Sequence, residues 1–477
     1  MDIDANVLPC DDLLAASVGF RGRTARAILL IVLAIGLGGC DHKTAPSKPI
    51  QAAVPCDPDN GGLTLPPGFC AVVVADYFPN LRGLAVTARG DIYAAILNRR
   101  LNTGSLVGMR DNDGDGRAEE IEQIDSSGGV GLRVHEGFLY LGTDTTIVRY
   151  QLREALKPAP AEVVVKDLPA AGLHLSKTFT FDNRGGMLVG IGSPSNACQE
   201  SDLSPGSPGR DPCPELERGA GIWRFDANRA GQTFADGKRY AAGIRNGLAM
   251  DINPGDGELY VAQHGRDQLS ELWPQLYTSD QGRWLPAEEL LRVTEGSTFS
   301  WPYCYYDPEQ QRRVLAPEYG GDGMRAGRCS EFPAPVADFP AHFGPNDLLF
   351  YRGEQFPRRY RGGLFIAFHG AYRTVGGGAS GYQVVFVPVD KGTPATNWEL
   401  FADGFAGANK APDAQPEHRP TALAQGADGS LYVADSVTGK IWRISYHSTK
   451  PPPAAVPPIP PAGNAAAIPQ NPGSTSG

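Results

Sequence analysis

Gly247-Leu248-Ala249-Met250-Asp251-Ile252-Asn253-Pro254-Gly255-Asp256-Gly257-Glu258-Leu259-Tyr260-Val261-Ala262 reads as a short apolar run, a turn of Asn, Pro, Gly and Asp, and a second apolar run. Two strands joined by a tight turn give this pattern. The phrase returns four times. Gly83-Leu84-Ala85-Val86 precedes Arg89-Gly90-Asp91-Ile92-Tyr93-Ala94-Ala95, and Gly131-Leu132-Arg133-Val134 precedes Gly137-Phe138-Leu139-Tyr140-Leu141-Gly142. Thr178-Phe179-Thr180-Phe181 precedes Gly186-Met187-Leu188-Val189-Gly190, and Thr421-Ala422-Leu423-Ala424 precedes Gly429-Ser430-Leu431-Tyr432-Val433-Ala434. Further strands follow in places, as at Thr146–Tyr150 and Lys440–Ile444. A four-stranded meander repeated about an axis is a β-propeller, so the sequence predicts an all-β chain of six four-stranded antiparallel blades.

The predicted propeller body spans 56–448. Six blades would average roughly 65 residues, above the 40–50 of compact blades, and the excess falls at 191–220 and 266–345. Long loops over one face of a rigid scaffold suit a binding site. The 477 residues include 59 Gly and 41 Pro, and 41% are hydrophobic, which excludes both a wholly disordered and an all-helical chain. The net charge of −10, with both signs interspersed, argues against a nucleic-acid binder.

The termini read differently from the body. Arg21, Arg23 and Arg26 precede an apolar run from Ala27 to Gly39, too short for a permanent membrane span and suited to a signal-peptide core. Leu37-Gly38-Gly39-Cys40 resembles the lipobox of bacterial lipoproteins, which implies a signal peptide over 1–39, lipidation of Cys40 and a linker over 40–55. The chain is therefore expected to be exported and lipid-anchored in the periplasm, and residues 449–477 to form a Pro/Ala-rich tail. In an oxidising compartment the remaining cysteines read as disulfides. Of 15 connectivities, sequential pairing is favoured because each pair flanks a short loop: Cys56 with Cys70, Cys198 with Cys213, and Cys304 with Cys329.

Ionisable residues cluster where strands enter or leave the repeats. His174 precedes one inner strand, Arg245 and Asn246 precede another, and Gln263-His264-Gly265-Arg266-Asp267 follows a second strand. His418-Arg419 precedes the last inner strand. Residues at these places converge on the central opening of a propeller, and four basic positions together imply an anionic ligand.

Here the chain resembles a known family, the quinoprotein aldose and sorbosone dehydrogenases, six-bladed propellers that use pyrroloquinoline quinone (PQQ). Leu65-Pro66-Pro67-Gly68-Phe69, Trp301-Pro302-Tyr303-Cys304-Tyr305, Phe350-Tyr351-Arg352-Gly353 and Tyr360-Arg361-Gly362-Gly363-Leu364-Phe365-Ile366-Ala367-Phe368-His369-Gly370 carry the resemblance, the last three to the sorbosone branch. It implies that His174 is the general base and that Arg245 stabilises charge on the quinone oxygen. Asn246, Arg419 and Lys177 would join Arg245 in binding the cofactor, and the backbone carbonyls of Gly265 and Arg266 would hold its calcium ion. The substrate would be a small sugar or alcohol. The external electron acceptor would be a quinone or cytochrome, since the chain has no CxxCH haem motif. The chain departs from the family's glucose site at Gly129, from a cofactor arginine at Glu417, and from a lysine near His369.

Asp111-Asn112-Asp113-Gly114-Asp115-Gly116 followed by Glu122 fits the twelve-residue calcium loop, although strand-like sequence flanks it. Asp111, Asp113, Asp115 and Glu122 are the expected ligands of a structural calcium. Two other readings stay open: a propeller lactonase, for which the expected Glu and Asn metal ligands are lacking, and a non-catalytic propeller binding a glycan or partner protein.

Overall fold

The computed structural model describes residues 54–371, 381–408 and 415–447. The signal peptide, Cys40, nearly all of the linker and the tail lie outside these residues. The described chain forms a six-bladed propeller. From the axis outward, the first blade is Leu81–Val86, Ile92–Asn98, Thr103–Arg110 and Glu120–Asp125. The second is Gly131–His135, Phe138–Gly142, Ile147–Gln151 and Glu162–Lys166, and the third is Phe179–Phe181, Gly186–Ile191, Gly221–Asp226 and Lys238–Ala242. The fourth is Ala249–Ile252, Leu259–Gln263, Glu288–Val293 and Ala337–Phe339. The fifth is Pro345–Phe350, Leu364–Phe368, Gln383–Val387 and Glu399–Ala402. The sixth is Pro420–Gln425, Leu431–Asp435, Lys440–Tyr446 and, outermost, Phe69–Asp76.

The five repeated phrases are the first and second strands of five blades. The fifth blade does not show the phrase because its inner strand is separated from Leu364–Phe368 by the long connection 351–363. The second strands Leu259–Gln263 and Leu364–Phe368 are buried at every position. Each middle strand is covered by neighbouring blades on both faces, so both faces are apolar.

The ring closes through the chain's first long strand. Phe69–Asp76 pairs antiparallel with Lys440–Tyr446, from Phe69 opposite Tyr446 to Asp76 opposite Lys440. Phe69 drives its ring among Phe356, Tyr360, Phe401 and Tyr446 with centroids 4.8, 5.2, 5.1 and 4.9 Å away, which ties the sixth blade to the fifth.

The two long excursions dock on each other over the third and fourth blades. Cys198 is bonded to Cys213 and Cys304 to Cys329, and Cys56–Cys70 completes the predicted pairing. Tyr303 Oη accepts from Cys213 N (3.0 Å), Tyr319 Oη donates to Ala197 O (3.2 Å) and Trp301 Nε1 donates to Asn196 O (3.0 Å). Across the axis, Arg133 of the second blade donates to Asp347 of the fifth at 2.6 Å, and Asp347 also accepts from Leu423 N of the sixth at 2.9 Å.

Phe69→Ala is expected to cost about 3–5 kcal/mol, the usual loss for a buried aromatic. Denaturant unfolding should show a clear fall in midpoint, while Leu101→Ala, 67% exposed, stays within about 0.5 kcal/mol of wild type. Equal effects of the two would contradict closure through Phe69.

Candidate active site

In an antiparallel meander, residues just before an inner strand and just after a second strand lie on the same face. His174, Arg245, Asn246, His264, His369 and Arg419 all occupy such positions. The structure therefore brings residues of four blades to one mouth.

His174 Nδ1 lies 2.7 Å from Ser193 O and 3.1 Å from Ser193 Oγ. A carbonyl only accepts, so Nδ1 carries the proton and Nε2 keeps the lone pair. Burial first, and then the charge of Arg245, push this imidazole down to about 3, so it is neutral at working pH. Gly192 makes the seating possible: a Cβ there would stand 2.4 Å from His174 Cβ.

Arg245 is buried and spends four of its five N–H donors on the protein. Nε donates to Asn196 O (3.0 Å), Nη1 to Gly265 O (2.7 Å), and Nη2 to Asn196 Oδ1 (2.9 Å) and Asp267 Oδ2 (2.8 Å). Asn196 was not singled out in the sequence. It is fully buried, and besides holding Arg245 it accepts Asp267 N at Oδ1 (2.8 Å) and donates Nδ2 to Asp267 O (3.0 Å). Its local sequence, Pro194-Ser195-Asn196-Ala197, has no pattern that marks it. Asn246 sits beside them, and its carbonyl accepts His264 N (3.0 Å). The ring of His264 lies 2.9 Å from Pro345 O, and burial pushes it down to about 4.

The far side of the mouth carries a second cationic group. Arg419 and Arg82 each place Nη1 3.5 Å from a different nitrogen of His369, and His369 Nε2 lies 2.8 Å from Ser436 Oγ. Burial, and then both guanidinium charges, hold that imidazole well below the usual range. Arg82 was missed: it lies inside the inner strand Leu81–Val86, at the register shift between Leu81 and Gly83, and directly precedes the repeated phrase Gly83-Leu84-Ala85-Val86.

Other expected residues go elsewhere. Lys177 is fully buried and its ammonium donates to Leu175 O, so it braces the His174 loop. Arg266 turns its side chain inward to buried Glu318 at 2.7 Å, and His418 pairs with Asp435 at 3.1 Å. Gly265 O, expected to ligate calcium, accepts Arg245 and keeps one lone pair for a cation. In the acidic loop, Asp111, Asp113 and Asp115 are joined by Glu119, not by Glu122. The outer strand starts at Glu120 and carries Glu122 along the sheet, opposite Gly108 and 3.8 Å from Lys157, where a calcium loop with helical flanks would bring that position back.

These features define a propeller with neutral imidazoles and three guanidinium groups at one mouth. The chain belongs to the TrAA12-like family, whose model matches residues 63–447. The holo PQQ domain of Coprinopsis cinerea pyranose dehydrogenase superposes with a TM-score of 0.63 at 17% identity, over 80% of this chain and 97% of that one. The calcium structure of the Trichoderma reesei family AA12 enzyme gives 0.63 at 18%, over 81% and 97%. An uncharacterized protein of Borreliella burgdorferi is 29% identical over 208 residues, 43% of this chain, and the match spans 48% of that protein's length.

Glu288, behind Gly265, supplies a test of the site's buried charge. Its Oε2 accepts Gly265 N (2.8 Å), and burial pushes its carboxyl up from 4.5 to about 8. The folded protein keeps a proton there that the unfolded chain releases, so this group's contribution to stability is lost as pH rises from about 4.5 to about 8. Glu288→Gln is expected to remove that slope from the wild-type difference in melting temperature across the window. An unchanged slope would place the proton elsewhere.

Proposed function

We propose that this protein is a PQQ-dependent oxidoreductase that oxidises a CH–OH or aldehyde group of an aldose, a sorbosone-like sugar or a related alcohol. The observation that carries the reading is the meeting of Arg82 and Arg419 at His369 opposite Arg245 and His174, on a propeller of the TrAA12-like family. A planar cofactor with three carboxylates fits this donor set, because guanidinium forks pair with carboxylates and clustered positive charge offsets their mutual repulsion. Arg82, Arg419, Arg245 and Asn246 would hold it, and the Gly265 carbonyl would serve its calcium ion as a hard oxygen ligand. When bound, the quinone supplies the hydride acceptor.

The chain's own groups do the rest. His174 Nε2 takes the proton of the substrate hydroxyl, with Nδ1–H anchored on Ser193 O so that the tautomer is fixed. The low proton affinity of the imidazole keeps this nitrogen free of protons before reaction, and a bound polyanion raises it by Coulomb attraction. Arg245 has one N–H left to direct at developing negative charge, and its other four bonds fix the direction. Export and anchoring through Cys40 would place the reaction in the periplasm, with electrons passing to an external quinone or cytochrome.

The test is reconstitution with PQQ and calcium, followed by absorbance and by dye reduction with a panel of aldoses. His174→Ala should lose about 10²–10⁴-fold in turnover and still bind the quinone. Arg419→Ala should weaken quinone binding by about 1.5–3 kcal/mol, the worth of a charge-assisted bond. A wild type that takes up no quinone would sink the enzyme reading in favour of a glycan- or partner-binding propeller. Cys40→Ser should release the protein from membranes with its fold intact. A wild-type protein recovered soluble with a different N-terminal residue would refute the anchor.

A further inference from the structure

The dehydrogenase reading assigns a base and a cofactor clamp but no group to recognise the substrate. One carboxylate at the mouth serves that scheme through a single oxygen, on Arg245, and its other oxygen has no role there. Asp267 lies two residues past Gly265 and is held in place by its own backbone: its N–H donates to Asn196 Oδ1 (2.8 Å) and its carbonyl accepts Asn196 Nδ2 (3.0 Å). Of its side-chain oxygens, Oδ2 accepts Arg245 Nη2 (2.8 Å). Oδ1 lies 4.0 Å from His342 Nδ1, beyond hydrogen-bond distance, and the other nitrogen of that ring is 2.9 Å from Gly282 O. Among the described residues no donor reaches Oδ1.

The placement of this carboxylate is as telling as its bonds. Solvent reaches 54% of the Asp267 side chain, although the residue lies deep among protein atoms, as a group on the floor of a funnel does. Its Oδ2 makes an ion pair with Arg245 Nη2 at 2.8 Å. Ser193 and Arg245 join it to His174: the Ser193 carbonyl accepts His174 Nδ1 (2.7 Å), the Ser193 N–H donates to Arg245 O (2.7 Å), and the Arg245 guanidinium holds Asp267. A rigid, ionised, acceptor-only group beside the base is matched by hydroxyl donors and repels anions.

We infer that Asp267 recognises the substrate: its carboxylate accepts the hydroxyl protons of a neutral, polyhydroxylated sugar next to the one whose proton goes to His174, and it excludes sugar acids. This inference rests on the dehydrogenase reading for the role of His174, but not for the binding itself. It narrows the substrate class to uncharged aldoses and polyols.

Binding is measurable without turnover, by saturation-transfer NMR of wild-type protein, with and without PQQ and calcium, against glucose, galactose, mannose and xylose and against glucuronate and galacturonate. At least one neutral aldose should bind and neither uronate should. Asp267→Asn, which keeps an acceptor for Arg245 and so preserves the local fold, should weaken the aldose at least tenfold and narrow its advantage over the uronate. Asp267→Glu should fall between the two. A wild type that binds uronates as well as aldoses, or that binds no aldose, overturns the inference. So does an Asp267→Asn protein with undiminished aldose affinity, and if its calcium requirement for quinone uptake then rises tenfold, the carboxylate belongs to the metal. Quinone uptake read by absorbance on the same samples separates the two ideas. Aldose binding lost through Asp267→Asn in a protein that takes up no quinone leaves the inference standing and removes the dehydrogenase reading.

Discussion

The pairing of Phe69–Asp76 with Lys440–Tyr446 is the constraint on which the rest of the structure depends. A propeller is a circle of sheets, and here its two ends are joined by backbone hydrogen bonds and packing and not by a covalent bond. Until its first and last segments share a blade, each inner strand lacks a fixed distance from the axis. Closure costs the entropy of bringing residues nearly four hundred positions apart together. The aromatic knot around Phe69 and the full burial of Trp442 and Ile444 on the partner strand offset it. Once closed, the ring places every residue before an inner strand at a similar radius. Side chains from the first, third, fourth, fifth and sixth blades then meet at one mouth without a local sequence signal for their meeting.

Closure alone would gather like charges at the axis, and the loops determine how these are tolerated. Three guanidinium groups and three imidazoles share the mouth, and the imidazoles are neutral because burial and the arginine charges both disfavour their protonation. Arg245 is further neutralised by Asp267 and oriented by Asn196, which comes from the excursion held by Cys198–Cys213. The long loops therefore bring the ligands that fix an inner-strand arginine, and their two disulfides stiffen the cap that carries them.

Legibility in the sequence follows the range of the interaction. The repeat showed five blades because strand, turn and strand are local. The fifth blade failed to show because 351–363 replaces its tight turn. His174, Arg245 and Arg419 were legible because they abut the repeat, and Arg82 was legible in principle by the same rule. Asn196 was not: its partners are 49 and 71 residues away. Lys177, expected at the cofactor, is buried with its ammonium on Leu175 O, and only the backbone carbonyl of Arg266, not its paired side chain, is left for the role expected of it. The acidic loop was misread at one ligand because a helical template was laid on a hairpin whose return strand begins at Glu120.

The same distinction separates the groups that work from those that hold. Arg266 and Arg313 are as cationic as Arg245, but each is paired inside the protein, with Glu318 and Glu289, under the long excursions. Pairs of this kind gain little net stability once desolvation is counted, while removal of one partner leaves a buried charge and is costly. They fix geometry, and what they fix is the segment running from Gln263 to Asp267. Gln263 accepts Arg245 N and donates to Glu289, so the buried Arg313 pair and the arginine at the mouth are linked through one amide. The groups beside His174 thus have positions set by charge pairs buried behind them.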